Sequence, residues 1–227
     1  MPNRIVLHIH TEFSHDSNVT LNDIINQCYK NNINCVGLTD HCNADAGFEY
    51  KKKLNKNNIK VIVGEEVKTK QGEIIGLFIK KTINCKKENG DLITLKSAIN
   101  EIKKQGGLVF APHPFDIMRL GIGKNNLDIF KDEIDAIEIF NSRTKINIFN
   151  IKAENYAKDN NITPFIGSDA HIAREISNSI IEMDNFSTKE EFLKNLKKTN
   201  TKYYKKRLKL IDIIRPTINK IKKKYLS

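Results

Sequence analysis

Residues 4–17, RIVLHIHTEFSHDS, open with aliphatic and β-branched side chains and then turn polar at two histidines one residue apart, His8 and His10. The run 4–9 reads as a short buried strand, and the residues beyond it read as a loop. The same order recurs down the chain. NCVGLT (34–39) leads into Asp40 and His41, LVFAP (108–112) into His113, AIEIFN (136–141) into Ser142 and Arg143, and TPFIG (163–167) into Asp169 and His171. Helical apolar spacing fills the intervals at 21–32, 95–105 and 145–160, with shorter helices expected near 46–57 and 126–132. KVIVGEEVKT (60–69) and EIIGLFI (73–79) read as strands around a Gln71-Gly72 turn. About seven strand–helix units without a Pro/Gly-rich linker predict a parallel sheet closed by helices. Such an α/β barrel gathers its active site on loops at the carboxyl ends of its strands.

Composition sets the outer limits. The 227 residues suit one barrel, and 39% hydrophobic with 29% charged residues is ordinary for a globular protein. No run of about 18 apolar residues predicts a membrane span, and MPNRIVLHIH lacks a signal-peptide pattern, so a cytoplasmic protein with no membrane partner is expected. Cys28, Cys35, Cys42 and Cys85 form no CxxC pair, which predicts reduced thiols. Cys42, directly after His41, reads either as a small filler or as a thiol belonging to a metal or nucleophile site.

The net charge of +11 is confined to one end: residues 189–227 hold fourteen Lys/Arg against three acidic residues, while 1–188 hold 24 of each. This divides the expected organisation into a barrel over 1–187 and a basic helical extension over 188–227, packed on or beside it. A helix over 188–199 would start at a Ser187/Thr188 cap. Tyr204, Leu208, Ile211, Ile214, Ile218, Ile221 and Tyr225 then follow at spacings of three and four, an apolar stripe interrupted at Pro216. The extension reads either as a docked helix with its lysines in water or as a contact for a polyanion or partner.

All six histidines, His8, His10, His15, His41, His113 and His171, fall at a predicted strand end or in the loop after it. Alternate strand residues share a direction, so His8 and His10 aim at one point. Asp16, Asp40, Glu65, Glu66, Glu73 and Asp169 stand among them. Mixed imidazole and carboxylate donors suit two or three ions of zinc, manganese or iron better than calcium or magnesium alone.

In order, the stretches LHIHTEFSHDS, GLTDHC, VGEEV, APHPFD, IEIFNSR and GSDAH resemble the PHP (polymerase and histidinol phosphatase) family of metal-dependent phosphoesterases over roughly residues 4–182. The resemblance implies a distorted (β/α)7 TIM-like barrel with a trinuclear metal site. It implies that His8, His10, Glu66 and Asp169 hold one ion, and that Glu66 bridges to a second ion shared with His113. It gives His41 and His171 the third. The sequence departs from the family pattern twice. Ser14-His15-Asp16 stands where many relatives have Ser-Asp, so either His15 or Asp16 completes the third position. Glu73 stands where many carry histidine, and reads as a carboxylate ligand or as an exposed strand residue.

The implied reaction is hydrolysis of a phosphate ester by a hydroxide bridging two ions, with Glu66, Asp169 and His171 at the catalytic centre. Asp40 would orient an imidazole or cap a turn. Arg119, Arg143, Arg174 and Asn141, all near predicted strand ends, are candidates for binding the substrate phosphate. That substrate would be a phosphorylated small molecule, a nucleotide or an oligonucleotide end. The other reading is a metal-binding module with a structural or nucleic-acid-interaction role and no catalysis.

Overall fold

Every aliphatic run read from the sequence becomes a strand in the computed structural model, which describes residues 2–208. The strands are β1 (Asn3–Ile9), β2 (Cys35–Leu38), β3 (Lys60–Thr69), β4 (Gly72–Leu77), β5 (Leu108–Ala111), β6 (Ala136–Asn141), β7 (Thr163–Gly167), β8 (Ser179–Met183) and β9 (Lys202–Lys205). They form one sheet in the order β7-β6-β5-β4-β3-β2-β1-β8-β9. β1, β2 and β3 are parallel, as are β5, β6 and β7, while β4 runs antiparallel to both of its neighbours.

The sheet curls until its seventh strand meets its first. Just beyond β7, Ser168 N–H donates to Leu7 O (3.1 Å), Ala170 N–H to His8 O (3.2 Å), and His10 N–H to Ala170 O (2.9 Å). Seven strands thus make a nearly closed α/β barrel. The expected wholly parallel wall is corrected at β4, because the short Gln71-Gly72 turn can only return the chain antiparallel. Two strands exceed the expected seven: β8 pairs antiparallel with the first half of β1 (Asn3↔Met183, Ile5↔Ile181), and β9 pairs with β8.

Helices α1 (Leu21–Asn31), α2 (Asp45–Lys56), α3 (Leu95–Lys104), α4 (Gly123–Phe130), α5 (Ile148–Asp159) and α6 (Lys189–Leu196) connect the strands. Local chemistry starts several of them. Thr20 and Asp23 form a capping box on α1, Thr94 accepts from Ser97 N–H at α3, and Thr188 accepts from Glu191 N–H at α6. The barrel core is aliphatic with an aromatic layer, in which Phe110 contacts Phe165 (centroids 4.8 Å apart) and Phe192 (6.2 Å).

Two expectations are overturned here. The apolar stripe does not begin as a helix: Tyr204 lies on β9, where Lys202–Lys205 pair edge-on with β8. KYYK is short and aromatic, and pairing satisfies its backbone, whereas the spacing that joined Tyr204 to the stripe carries no such bonds. The rest of the stripe, Ile211 to Tyr225 with Pro216, lies outside the described residues. The cysteines are not all reduced either, for Cys42 and Cys85 form a disulfide while Cys28 and Cys35 are free and buried. Forty-three residues separate the pair, and the pairing of β2 and β4 on either side of β3, with Leu38 opposite Val63 and Leu77 opposite Gly64, brings the loop after β2 against the segment after β4. Among the described residues no helix is long and apolar enough to cross a membrane.

Phe192 of α6 is fully buried and touches Phe78, Phe110 and Phe186. Phe192→Ala is expected to cost about 3–5 kcal/mol of unfolding free energy in a single urea transition. A loss below about 1 kcal/mol would show that α6 is not built into the barrel core.

Candidate metal centre

The loops at the carboxyl ends of the parallel strands converge on Glu66 of β3, whose side chain is almost fully buried. Its Oε1 lies 3.3 Å from His8 Nε2 and 3.1 Å from His113 Nε2, and its Oε2 lies 3.3 Å from His10 Nε2 and 3.1 Å from His41 Nδ1. Strand alternation sends Glu65 the other way, where its carboxylate accepts from Ile83 N–H (2.7 Å) and burial raises its pKa to about 8. Of the two glutamates, Glu66, the one the family resemblance implies, therefore faces the cluster.

Asp169, just past β7, closes the opposite side. Its Oδ1 is 3.5 Å from His10 Nε2, 3.9 Å from His8 Nε2 and 3.4 Å from His171 Nδ1. Asp16 faces His171 Nε2 (3.2 Å) and His41 Nε2 (3.5 Å). His15 is exposed, with its ring 5.6 Å from that of His41, so Asp16 is the member of the pair that joins the cluster. Antiparallel β4 begins where its neighbours end. This brings Glu73 to the cleft, 3.8 Å from both His41 Nδ1 and His113 Nε2. It is buried, not an exposed strand residue.

Among the described residues, four sets of donors lie close enough to share an ion: His8/Glu66/His113, His8/His10/Asp169, His10/His41/His171 and His41/Glu66/Glu73. The fit to cations shows in the buried Nε2 atoms of His8 and His10, which find no hydrogen-bond partner in the protein. Electrostatics agree. Burial disfavours the Glu66 charge, but His8 and His41 outweigh it and hold the carboxyl well below its ordinary range. Burial likewise opposes the Asp169 charge, which Arg119 and His8 hold far down. His10 goes the other way, lowered by burial and then by His171 and His41. These carboxylates are therefore anionic; His10 is held below the ordinary imidazole range, while at His8, His41 and His113 burial is outweighed by Glu66, which holds them above it, so an incoming cation would displace protons there.

Backbone strain collects at the same place. His8, His113 and Asp169 all take positive φ (62°, 27° and 50°), although none is glycine. Around His8 the β1–β2 register slips between Val6 and Ile9. The histidine pair thus converges through a kinked strand, not through the simple alternation read from the sequence.

Behind the donors lies an orienting layer. Glu138, which sequence reasoning missed, is 1% exposed in the middle of β6. Its Oε1 is 2.9 Å from His8 Nδ1, and its Oε2 accepts from His113 N–H (2.6 Å) and Asn141 Nδ2 (3.0 Å). A charged residue inside the apolar run AIEIFN was the available signal. Its carboxylate fills the space a side chain at Gly167 would need, since a Cβ there would meet Glu138 Oε1 at 1.7 Å. Asn141 also donates to Asp169 Oδ2 (3.2 Å) and is fully buried, so it orients the cluster from beneath. Asp40 touches no imidazole. It accepts from Thr11 N–H (2.5 Å) and Ser14 Oγ (2.7 Å), and Ser14 Oγ lies 3.3 Å from His10 Nδ1. It is a loop anchor acting on His10 at one remove.

Above the cluster opens a cleft of about 650 Å³, lined among others by Lys68, Met118, Arg119, Arg143, Lys145 and Asp169. Arg119 Nη1 binds Asp169 Oδ2 (2.5 Å) and Arg143 Nη1 approaches Asp169 O (3.5 Å). Arg174 is exposed in the 3-10 turn 173–178 and is not part of that lining. Lys68 and Lys145 are cleft cations that the sequence did not single out.

Replacing Glu138 by Gln keeps the shape but leaves a single oxygen for His8 Nδ1, His113 N–H and Asn141 Nδ2, which use both carboxylate oxygens. Affinity for Mn²⁺ or Zn²⁺, measured by calorimetry, is expected to fall ten- to a hundredfold. Unchanged affinity would mean that Glu138 does not orient His8.

Comparison with known proteins accords with this geometry. The PHP domain model matches residues 7–109, and the PHP-associated model matches residues 147–201. A protein of Methanocaldococcus jannaschii described as uncharacterized is 32% identical over 206 residues, covering 86% of this chain and 79% of its own. A Bacteroides vulgatus crystal structure, described as a two-domain protein containing a predicted PHP-like metal-dependent phosphoesterase, superposes with a TM-score of 0.73 at 19% identity. That match covers 97% of this chain and 70% of the other. The Pyrococcus furiosus lesion-specific endonuclease superposes with a TM-score of 0.63 at 16% identity, covering 89% of this chain and 58% of that one. With its histidine and carboxylate motifs in order on a barrel of this shape, the chain belongs to the PHP family.

Proposed function

We propose that the chain hydrolyses a phosphate ester in the cleft above Glu66, using divalent ions held by His8, His10, Asp16, His41, Glu66, Glu73, His113, Asp169 and His171. The observation that carries this reading is the double duty of Asp169. One oxygen faces the imidazoles of His8 and His10 while the other accepts the Arg119 guanidinium, and Arg143 approaches the backbone carbonyl of the same residue. Cation-binding donors and anion-binding forks thus share one wall, which is what a phosphoryl group needs. Bound ions would supply activated water and offset charge on the phosphoryl oxygens.

The chain's own residues supply the rest. Arg119 and Arg143 orient phosphate oxygens, with Lys68 and Lys145 at the rim drawing in anions. Asn141 and Glu138 keep Asp169 and His8 in place. No nucleophilic Ser or Cys is required. Two or three ions of zinc, manganese or iron match the donor chemistry.

For the substrate we favour a nucleotide or an oligonucleotide end. The cleft volume suits a ligand of that size, and all of the excess positive charge lies in residues 189–227. The last described residues carry that charge to the cleft: Leu208 N–H bonds Ser142 O, and Arg207 bonds Lys145 O (2.9 Å). The structural neighbour described as a lesion-specific endonuclease is in keeping with this reading. The non-catalytic alternative is disfavoured because a degenerate site would have lost several donors, and here nearly the whole expected set converges.

A phosphate-release screen with added Mn²⁺ or Zn²⁺, over nucleotides, short oligonucleotides and sugar phosphates, tests the reaction. His8→Ala with Asp169→Ala should abolish turnover, and full residual turnover would refute the assignment. Arg119→Ala is expected to lower kcat/KM on the order of a hundredfold with metal content retained. A parallel loss of metal would instead make Arg119 a support for Asp169 only. If a polyanion is bound, deleting residues 209–227 should flatten the salt dependence of oligonucleotide turnover; an unchanged slope would remove the basic segment from substrate binding.

A further inference from the structure

The Cys42–Cys85 disulfide reaches the cleft through Cys42, and the proposed reaction does not use it. Cys42 follows His41 directly, lines the cleft, and takes a left-handed φ of 50°. Its N–H donates to Glu66 O (3.0 Å), so His41 is held between a disulfide and the strand that carries Glu66. Cys85 is buried in the segment joining β4 to α3. That segment is also tied to the barrel by Ile83 N–H on Glu65 (2.7 Å), by Thr82 Oγ1 accepting from Ala44 N–H (3.1 Å) and by the buried side chains of Ile79, Ile83 and Ile93, but the disulfide is its covalent link to the loop that carries His41. Residues 86–91 beyond it are exposed.

We propose that Cys42–Cys85 is a thiol–disulfide exchange site whose oxidised form holds His41 in its metal-binding position. The effect on activity rests on the phosphoesterase reading; the effect on metal binding does not. Cys42, the more accessible of the two residues, takes the first attack. A thiolate of a dithiol reductant bonds to Cys42 Sγ, the Cys42–Cys85 bond breaks, and Cys85 leaves as a thiolate that takes up a proton. The reductant's second thiolate then attacks its own bound sulfur. This releases Cys42 as a thiol, and the reductant departs as a disulfide. Two electrons pass to the protein, and two protons end on its sulfurs.

His41 is where such a bond matters. Of the four imidazoles facing Glu66 its side chain is the most open, at 19% exposed against 0–2% for His8, His10 and His113. A non-glycine residue in left-handed backbone persists only while its surroundings hold it there. Cutting the tether lets Cys42 relax and turns the peptide that carries His41. The two donor sets containing His41, His10/His41/His171 and His41/Glu66/Glu73, would loosen, while the two built on His8 stay intact. Reduction would thus act on part of the cluster and leave the rest loaded.

The test uses the full chain in three forms: oxidised, reduced with excess dithiol and desalted without oxygen, and Cys85→Ser. Thiol titration in denaturant should find two thiols in the oxidised form and four in the reduced form. Calorimetry with Mn²⁺ or Zn²⁺ should show one class of site about tenfold weaker on reduction, restored by reoxidation and permanently weak in Cys85→Ser. Hydrogen exchange across 79–94 should quicken in step. Cys42→Ser provides the same comparison if Cys85→Ser fails to fold. Four thiols after exposure to oxidant, or equal metal affinity in both redox forms, would overturn the proposal. If affinity follows the bond but neither form turns over any phosphate ester, the redox site stands and the proposed reaction falls. If turnover is present and both it and affinity ignore the bond, the reaction stands and the redox site falls.

Discussion

A carboxylate sealed inside a protein is tolerable only if positive charge comes to it, and Glu66 sits at that position in this barrel. With both oxygens buried and four imidazoles within 3.3 Å, it imposes a requirement on every neighbouring loop: each must present a proton-bearing or metal-bearing nitrogen. The strain at His8, His113 and Asp169 follows from this. Three residues hold backbone shapes costing roughly 1–3 kcal/mol each; hydrogen bonding between β1 and the end of β7 flanks His8 and Asp169, and Glu138 accepts the His113 N–H. The rest of the sheet is an aliphatic frame that makes those positions enforceable.

The frame also separates two kinds of support. On one side Glu138 and Asn141 reach the donors directly. On the other, Asp40 holds Ser14 and Thr11, and through them the loop that carries His10 and Asp16. The first arrangement sets where an imidazole nitrogen points; the second sets where a loop lies. The cleft cations are arranged similarly, with Arg119 and Arg143 braced on Asp169 while Lys68 and Lys145 stand exposed at the rim.

The histidines were legible because each terminates a β-rich run, and a barrel sends such ends to one face. Period-two alternation could not choose between Glu65 and Glu66, since one residue of slip exchanges the faces; pairing of β3 with its neighbours makes the choice. His15 against Asp16 was undecidable for a related reason, as a loop has no period. Glu138 escaped notice because a lone acid in an apolar strand looks like a solvent-facing residue until the layer in front of it is known. β8 escaped because its pairing partner, the first half of β1, lies some 180 residues away in sequence, and β9 escaped with it because it pairs only with β8. The disulfide escaped because distance along the chain says nothing of distance across the mouth.

The contact between Glu138 and Gly167 has a consequence for how this site can change over generations. The carboxylate occupies the volume that any larger residue at 167 would claim, so the two positions do not vary independently. A lineage keeping Glu138 can enlarge residue 167 only by swinging that carboxylate away from His8 Nδ1. A lineage losing Glu138 first gains a hole beside His8 that a side chain from 167 can fill, and once filled, that path back is shut. Decay of this centre would then behave as a ratchet.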